Sequence, residues 1–152
     1  MGNTNTKEKI SEFVRNNNLL DQPDPDAIPR MSRMLLVDRT ITDINVKDSN
    51  YVDFTALHCQ SQFGTTGSVA WLLRQDPPAG VNERDSSQYT PLMYAAYSGE
   101  DPEGKVRLLL DHGADRNIKN KVGRTALSLA RLYNSPAAVI DMMVNYRPDV
   151  SR

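Results

Sequence analysis

One cysteine, one tryptophan and two histidines are present among 152 residues, and each scarcity closes a door. A lone Cys59 forms no internal disulfide, which suits a reducing compartment. With only His58 and His112 beside it, a zinc site of the usual kind is not expected. Apolar runs such as Met34–Val37 and Leu108–Leu110 fall far short of the ~20 residues that a membrane span needs. No secretory hydrophobic region follows Met1, so a cytoplasmic location is expected, with the nucleus left open. Eighteen basic residues against nineteen acidic ones leave a net charge of −1, without the cationic surplus that nucleic-acid binding draws on. The eight glycines form no phosphate-cradling motif, and no nucleophile–base or paired-acid arrangement stands out. No catalysis, metal or cofactor is therefore expected. The carboxylates at Glu100-Asp101-Pro102-Glu103 and at Asp21, Asp24 and Asp26 lack the ligand spacing of a calcium loop and read as solvated loops.

What the chain does have is a period. Thr55-Ala-Leu-His58, Thr90-Pro-Leu-Met93 and Thr125-Ala-Leu-Ser128 follow one another at intervals of 35 residues. Asn82 and Asn117 each stand eight residues ahead of a threonine, and Asn45 takes the same part with two residues more. Apolar runs recur in phase at Val69–Leu73, Val106–Leu110 and Val139–Met143. Three features keeping one period define a repeat, and a repeat decides the fold.

Each unit reads as a turn, a short helix, a loop and a longer helix. Thr90 is a helix cap, and Pro91 suits the first helical position, where no N–H is needed. The first helix is predicted to run through Leu92, Ala95 and Ala96 to a left-handed Gly99, with Gly64 and Asn134 in the same slot of the flanking units. The second helix, about 103–111, sets Val106, Leu109 and Leu110 on one stripe and ends at Gly113. His112 before it is expected to meet the free carbonyls of that helix end.

The stretch from Tyr89 to Gly99, followed by Leu109-Leu110-Asp111-His112-Gly113-Ala114-Asp115-Arg116-Asn117, resembles the ankyrin repeat family almost position by position. The resemblance implies an all-α solenoid of about three clear repeats, at 45–80, 81–116 and 117–146, before a tail at 147–152. Ala56 and Ala126 replace the proline, and Cys59-Gln60-Ser61 and Leu129-Ala130-Arg131 replace the small-residue pair, so the outer units are less regular. Ahead of them, 7–44 reads as a divergent helical cap built on Ile10, Phe13 and Val14 and then Ile28, Met31, Met34 and Leu35, behind a leader at 1–6. A disordered arm over 1–26 is the competing reading.

The resemblance also implies a function: non-catalytic recognition of another protein along the turn tips and the inner helices, as inhibitor or adaptor. Carried over by position, the contact set is Tyr51, Phe54, Arg84, Ser87, Tyr89, Tyr97, Lys121, Arg124 and Tyr133, with Gln62, Phe63, Ser98, Val122 and Leu132 nearby. Six of the chain's ten aromatic residues fall on this surface, and aromatic side chains supply large, rigid contact area. Packing between repeats is the competing role for Phe54 and Phe63. The same resemblance gives His58 a structural part, tying a turn to its neighbour, rather than a thiol–imidazole partnership with Cys59. The expected state is a monomer or a weak homodimer.

The opening Met1-Gly2-Asn3-Thr4-Asn5-Thr6-Lys7 fits the pattern for N-myristoylation of Gly2, against the plain alternative of a polar leader. One acyl chain gives weak, reversible membrane association, and no polybasic run reinforces it here. A membrane-tethered adaptor is thus the alternative functional expectation.

Overall fold

The structure is a computed structural model and describes residues 44, 45, 47, 53–75 and 78–148. Gly2, Tyr51 and the expected capping helices lie outside the described residues. Six helices are described: α1 (Ala56–Phe63), α2 (Thr66–Leu73), α3 (Pro91–Ala96), α4 (Pro102–Asp111), α5 (Ala126–Leu132) and α6 (Ala137–Asn145). They pack as three successive pairs, α1/α2, α3/α4 and α5/α6. The pairs stack so that α1, α3 and α5 make an inner row and α2, α4 and α6 an outer row.

The period in the sequence becomes a period in capping. Thr55, Thr90 and Thr125 all have extended backbone, and each hydroxyl accepts the N–H of the residue three further on: His58, Met93 and Ser128. Pro91 sits in the first turn of α3, as its missing N–H allows. Among the outer helices, Thr65 caps α2 and Asp101 caps α4, while α6 starts after Pro136 with no side-chain cap.

Packing repeats as well. Leu57, Leu92 and Leu129 on the inner row and Val69, Val106 and Val139 on the outer row are all shut off from solvent. At that depth each contributes roughly 1.5–3 kcal/mol of transfer free energy. Ala95, Ala96 and Ala130 are buried without taking up space, so neighbouring inner helices approach closely. Polar seams then lock one unit to the next. The Ser98 hydroxyl donates to the Gln62 carbonyl at 2.9 Å, and the Ser135 hydroxyl donates to the Ala96 carbonyl at 2.6 Å. On the outer row the Thr66 hydroxyl donates to the Asp101 carboxylate at 2.5 Å.

Two glycines depart from expectation. α3 stops at Ala96, because the N–H groups of Tyr97 and Ser98 both turn back onto the Ala95 carbonyl, and Gly99 is not left-handed. Gly64 is not left-handed either, being extended at φ −87°. Its smallness answers to space instead: a Cβ there would stand 2.1 Å from Gln60 Oε1. Asn134 (φ 54°) does adopt the left-handed conformation foreseen for it, and Gly113, expected to end α4, is left-handed as well (φ 88°).

Candidate interaction surface

The turns ahead of α3 and α5 are each held by one side chain. Asp85 is buried, and its Oδ1 accepts the N–H groups of Ser87 and Tyr89, both at 2.9 Å. Its other oxygen accepts the Tyr94 hydroxyl at 2.5 Å. Thirty-five residues later Asn120 repeats the arrangement, accepting from Val122 at 3.1 Å and Arg124 at 3.0 Å. The turns close through left-handed residues in one register: Asp53, Gln88 and Gly123. A backbone bond from the Lys121 N–H to the Ser87 carbonyl, 3.1 Å, joins the second tip to the third. The second and third tips are thus hydrogen-bonded in place in the folded chain.

His58 ties the first inner helix to the next turn. Its Nδ1 accepts the Thr55 N–H at 3.1 Å and lies 2.8 Å from the Thr55 hydroxyl, while Nε2 lies 3.0 Å from the Tyr89 carbonyl. An acceptor at Nδ1 and a carbonyl at Nε2 assign the neutral ring with its proton on Nε2. Burial holds its pKa below the usual histidine value, with the Tyr89 carbonyl pulling the other way. Cys59 beside it is buried, and burial alone pushes its thiol up to about 12, so no reactive thiolate forms there. His112 Nδ1 lies 2.8 Å from the Leu108 carbonyl at the end of α4, the capping place foreseen for it. Among the described residues no three His, Cys, Asp or Glu side chains gather into a metal site, and no helix is long and apolar enough to cross a membrane.

A row of rings runs along the inner face. Tyr89 lies 5.1 Å from Tyr94, Tyr94 lies 6.2 Å from Tyr97, and Tyr97 lies 4.6 Å from Tyr133 of the next unit. Burial, with Tyr89 and Tyr133 close by, pushes the Tyr97 hydroxyl up, so it stays a protonated donor. At the open end of the row, Leu132 is 51% and Tyr133 55% exposed, and Val122 on the third tip is 73% exposed.

Of the expected contact set, Arg84, Ser87, Lys121, Arg124 and Tyr133 are exposed, and Tyr89 and Tyr97 are half-buried along the row. Phe54 is corrected: it is 7% exposed, its ring 5.0 Å from Tyr94 and stacked on His58 at 5.7 Å, so it belongs to the core. Ser98 is likewise buried in a seam between units. Three side chains went unread in the sequence. Asp85 carries a signal, a turn-forming residue 35 positions before Asn120. Tyr94 sits inside the repeat motif, where its hydroxyl looks incidental. Lys105 is fully buried in α4, its ammonium donating to the Ser98 hydroxyl at 2.7 Å, and a lysine in a helix carries no sign of that.

Stacked helical pairs joined by hydrogen-bonded turns, repeated in one register, define a helical solenoid of the repeat class. The chain belongs to the ankyrin repeat family: the family model of ankyrin repeats in three copies matches residues 29–120 and again 61–152. Among its relatives, the human NAD-capped RNA hydrolase NUDT12 is 40% identical over 76 residues, covering 50% of this chain and 16% of the hydrolase. A putative ankyrin repeat protein of fowlpox virus, FPV031, is 31% identical over 109 residues, 72% of this chain and 31% of that protein. Dauer abnormal formation protein 25 of Caenorhabditis elegans is 47% identical over 51 residues, 33% of this chain and 13% of that protein. The chain therefore spans less than a third of the length of each. Ankyrin repeats are generally protein–protein interaction modules, and the fold is typically non-catalytic.

Proposed function

We propose that the chain binds a partner protein along its turn tips and inner helices and acts as an adaptor or an inhibitor by covering part of that partner. The observation that carries this reading is the row of rings: the paired Tyr97 and Tyr133 lead out to exposed Leu132 beside tips that are already hydrogen-bonded in place. Exposed aromatic and aliphatic side chains on a rigid base are the ingredients of an interface hot spot, because little ordering entropy is lost on contact. The test is affinity purification from cell extract with the wild type and with the triple variant Tyr97→Ala, Tyr133→Ala, Arg124→Ala, after circular dichroism has shown that the variant folds. Partners lost from the variant support the face; an unchanged partner list sinks it.

A second reading makes the chain a tether, cytoplasmic and held weakly at a membrane through an acylated Gly2. It rests on the Met1-Gly2 to Thr6 pattern alone. Intact mass after expression in eukaryotic cells tests it, with Gly2→Ala as the control; a wild-type mass lacking the acyl group removes it.

A further inference from the structure

Charge is spread unevenly over the third unit. From Arg116 to Ile140 there are five cations and no carboxylate, in a chain whose charges as a whole nearly cancel. Arg116 is already engaged, its guanidinium donating to the Met143 and Val144 carbonyls at the end of α6. Lys119, Lys121 and Arg124 are different. All three are exposed on the third tip, and none has a carboxylate in ion-pair range among the described residues. They flank Val122, the most exposed of the large apolar side chains noted above.

The other described tip and cleft do not share this excess. At the second tip Glu83 accompanies Arg84, and Glu83 also pairs with Lys47 at 3.5 Å. The cleft of about 410 Å³ between α4 and α6 balances Arg107 and Arg147 against Asp111 and Asp141. Among the described residues, only the third tip combines unpaired cations, an exposed aliphatic side chain and a backbone held still by Asn120 and by the bond from Lys121 to Ser87.

We infer that the third tip and the inner face beside it receive an acidic, extended segment of a partner protein, in which carboxylates flank an aliphatic residue and an aromatic or aliphatic residue follows. The inference rests on the proposed recognition function and specifies the chemistry of the partner. Carboxylates meet Lys119, Lys121 and Arg124, and an aliphatic side chain between them covers Val122. The seven residues of α5 rise about 10 Å from the tip to the level of Leu132 and Tyr133. That is roughly three or four residues of extended chain, so the second apolar side chain follows the acidic run at that spacing and lies against Leu132, Tyr133 and Tyr97. Complementary charge of this kind speeds encounter, selects among partners and makes binding sensitive to salt. A nucleic acid fits less well, since three tip cations backed by apolar side chains do not track a phosphate backbone.

The test uses the full chain and a displayed library of random peptides of about 16 residues. Enriched peptides rich in Asp and Glu, with an apolar residue three or four positions away, are expected. Their affinity should fall at least about tenfold in Lys119→Glu, Lys121→Glu, Arg124→Glu, and should weaken several-fold between about 50 and 300 mM NaCl. All three substitutions are at exposed positions, so the variant should unfold at the wild-type temperature, and Lys119→Gln, Lys121→Gln, Arg124→Gln should show the same loss in milder form. Enriched peptides that are neutral or basic, or acidic ones indifferent to both variants, overturn the inference. If neutral peptides nevertheless depend on Tyr97 and Tyr133, the recognition face survives and only the acidic partner falls. No enrichment, or binding confined to phosphatidylserine vesicles or to an oligonucleotide, also overturns it.

Discussion

His58 and Tyr89 stand 31 residues apart and are joined by a 3.0 Å hydrogen bond from the imidazole Nε2 to the backbone carbonyl. One neutral ring thereby serves two units, since its other nitrogen is held by Thr55. His58→Ala would leave the Thr55 N–H without its partner and the Tyr89 carbonyl with the Asp85 N–H alone, and would open a cavity, costing about 2–4 kcal/mol in chemical denaturation. The pH dependence has a definite sign. The folded pKa lies below the ordinary 6.5, so the unfolded chain takes up the proton first. Stability from this site is complete above pH 6.5 and is lost as pH falls from there toward the folded value. The melting temperature of the wild type should therefore drop between pH 7.5 and 5.5, and that drop should shrink in His58→Gln.

Tyr94→Phe isolates the bond between the inner row and the second tip. It removes only the hydroxyl that donates to buried Asp85, whose remaining bonds come from the Ser87 and Tyr89 N–H groups. A hydrogen bond to a charged group is worth about 1.5–3 kcal/mol. Urea denaturation should show a loss of that order with an unchanged slope, and a loss below about 0.5 kcal/mol would show that Asp85 finds no benefit in the hydroxyl.

Lys105 is a cost carried by the core. Burial lowers its pKa to about 8, against the partial compensation of Glu100 and Asp101. Below about pH 8 the side chain is charged both folded and unfolded, and the full penalty applies. Between there and the unfolded value of 10.5 the folded protein sheds the proton first and the penalty fades. Lys105→Met keeps the volume and leaves the Ser98 hydroxyl with the Glu100 N–H and the Gln62 carbonyl. It should raise stability at pH 7 by about 1–3 kcal/mol, with the gain narrowing as pH climbs from 8 to 10. A variant less stable than wild type at pH 7 would show that the ammonium contributes more through Ser98 than its burial costs.

The two glycines that look alike in the sequence should part company under substitution. Gly99 has open space around it and no left-handed backbone, so Gly99→Ala is expected to be neutral or to stabilise by up to about 1 kcal/mol. Gly64→Ala would press a methyl group against Gln60 and Ser68 and should destabilise by about 1–3 kcal/mol. Thermal unfolding of the pair decides it, and equal behaviour would contradict the geometry.

The stack was legible in the sequence because its signals are local. A capping threonine works through the N–H three residues on, and an apolar stripe follows from helical spacing, so Thr55, Thr90 and Thr125 announce their helices unaided. The face was legible only in part, because its details depend on residues about one repeat away. Phe54 precedes a capping threonine just as Tyr89 and Arg124 do, yet Tyr94 of the next unit draws it into the core. Lys105 is buried because Ser98, at the far side of the insertion around Asp101 and Pro102, waits there with a hydroxyl. Gly64 is confined by the conformation of Gln60, which its own spacing does not reveal.

The bonds that bind the units together have one more consequence. They span 31 residues at His58–Tyr89, 35 at Thr66–Asp101, 36 at Ser98–Gln62 and 39 at Ser135–Ala96, and none of these reaches past an adjacent unit. The chain is built like a zip rather than a knot. Tension applied beyond α6 would peel α5 and α6 away while α1 to α4 still stood, and refolding would need no loop closure longer than about one repeat. Length itself becomes an evolvable quantity, since a duplicated unit has only two seams to match.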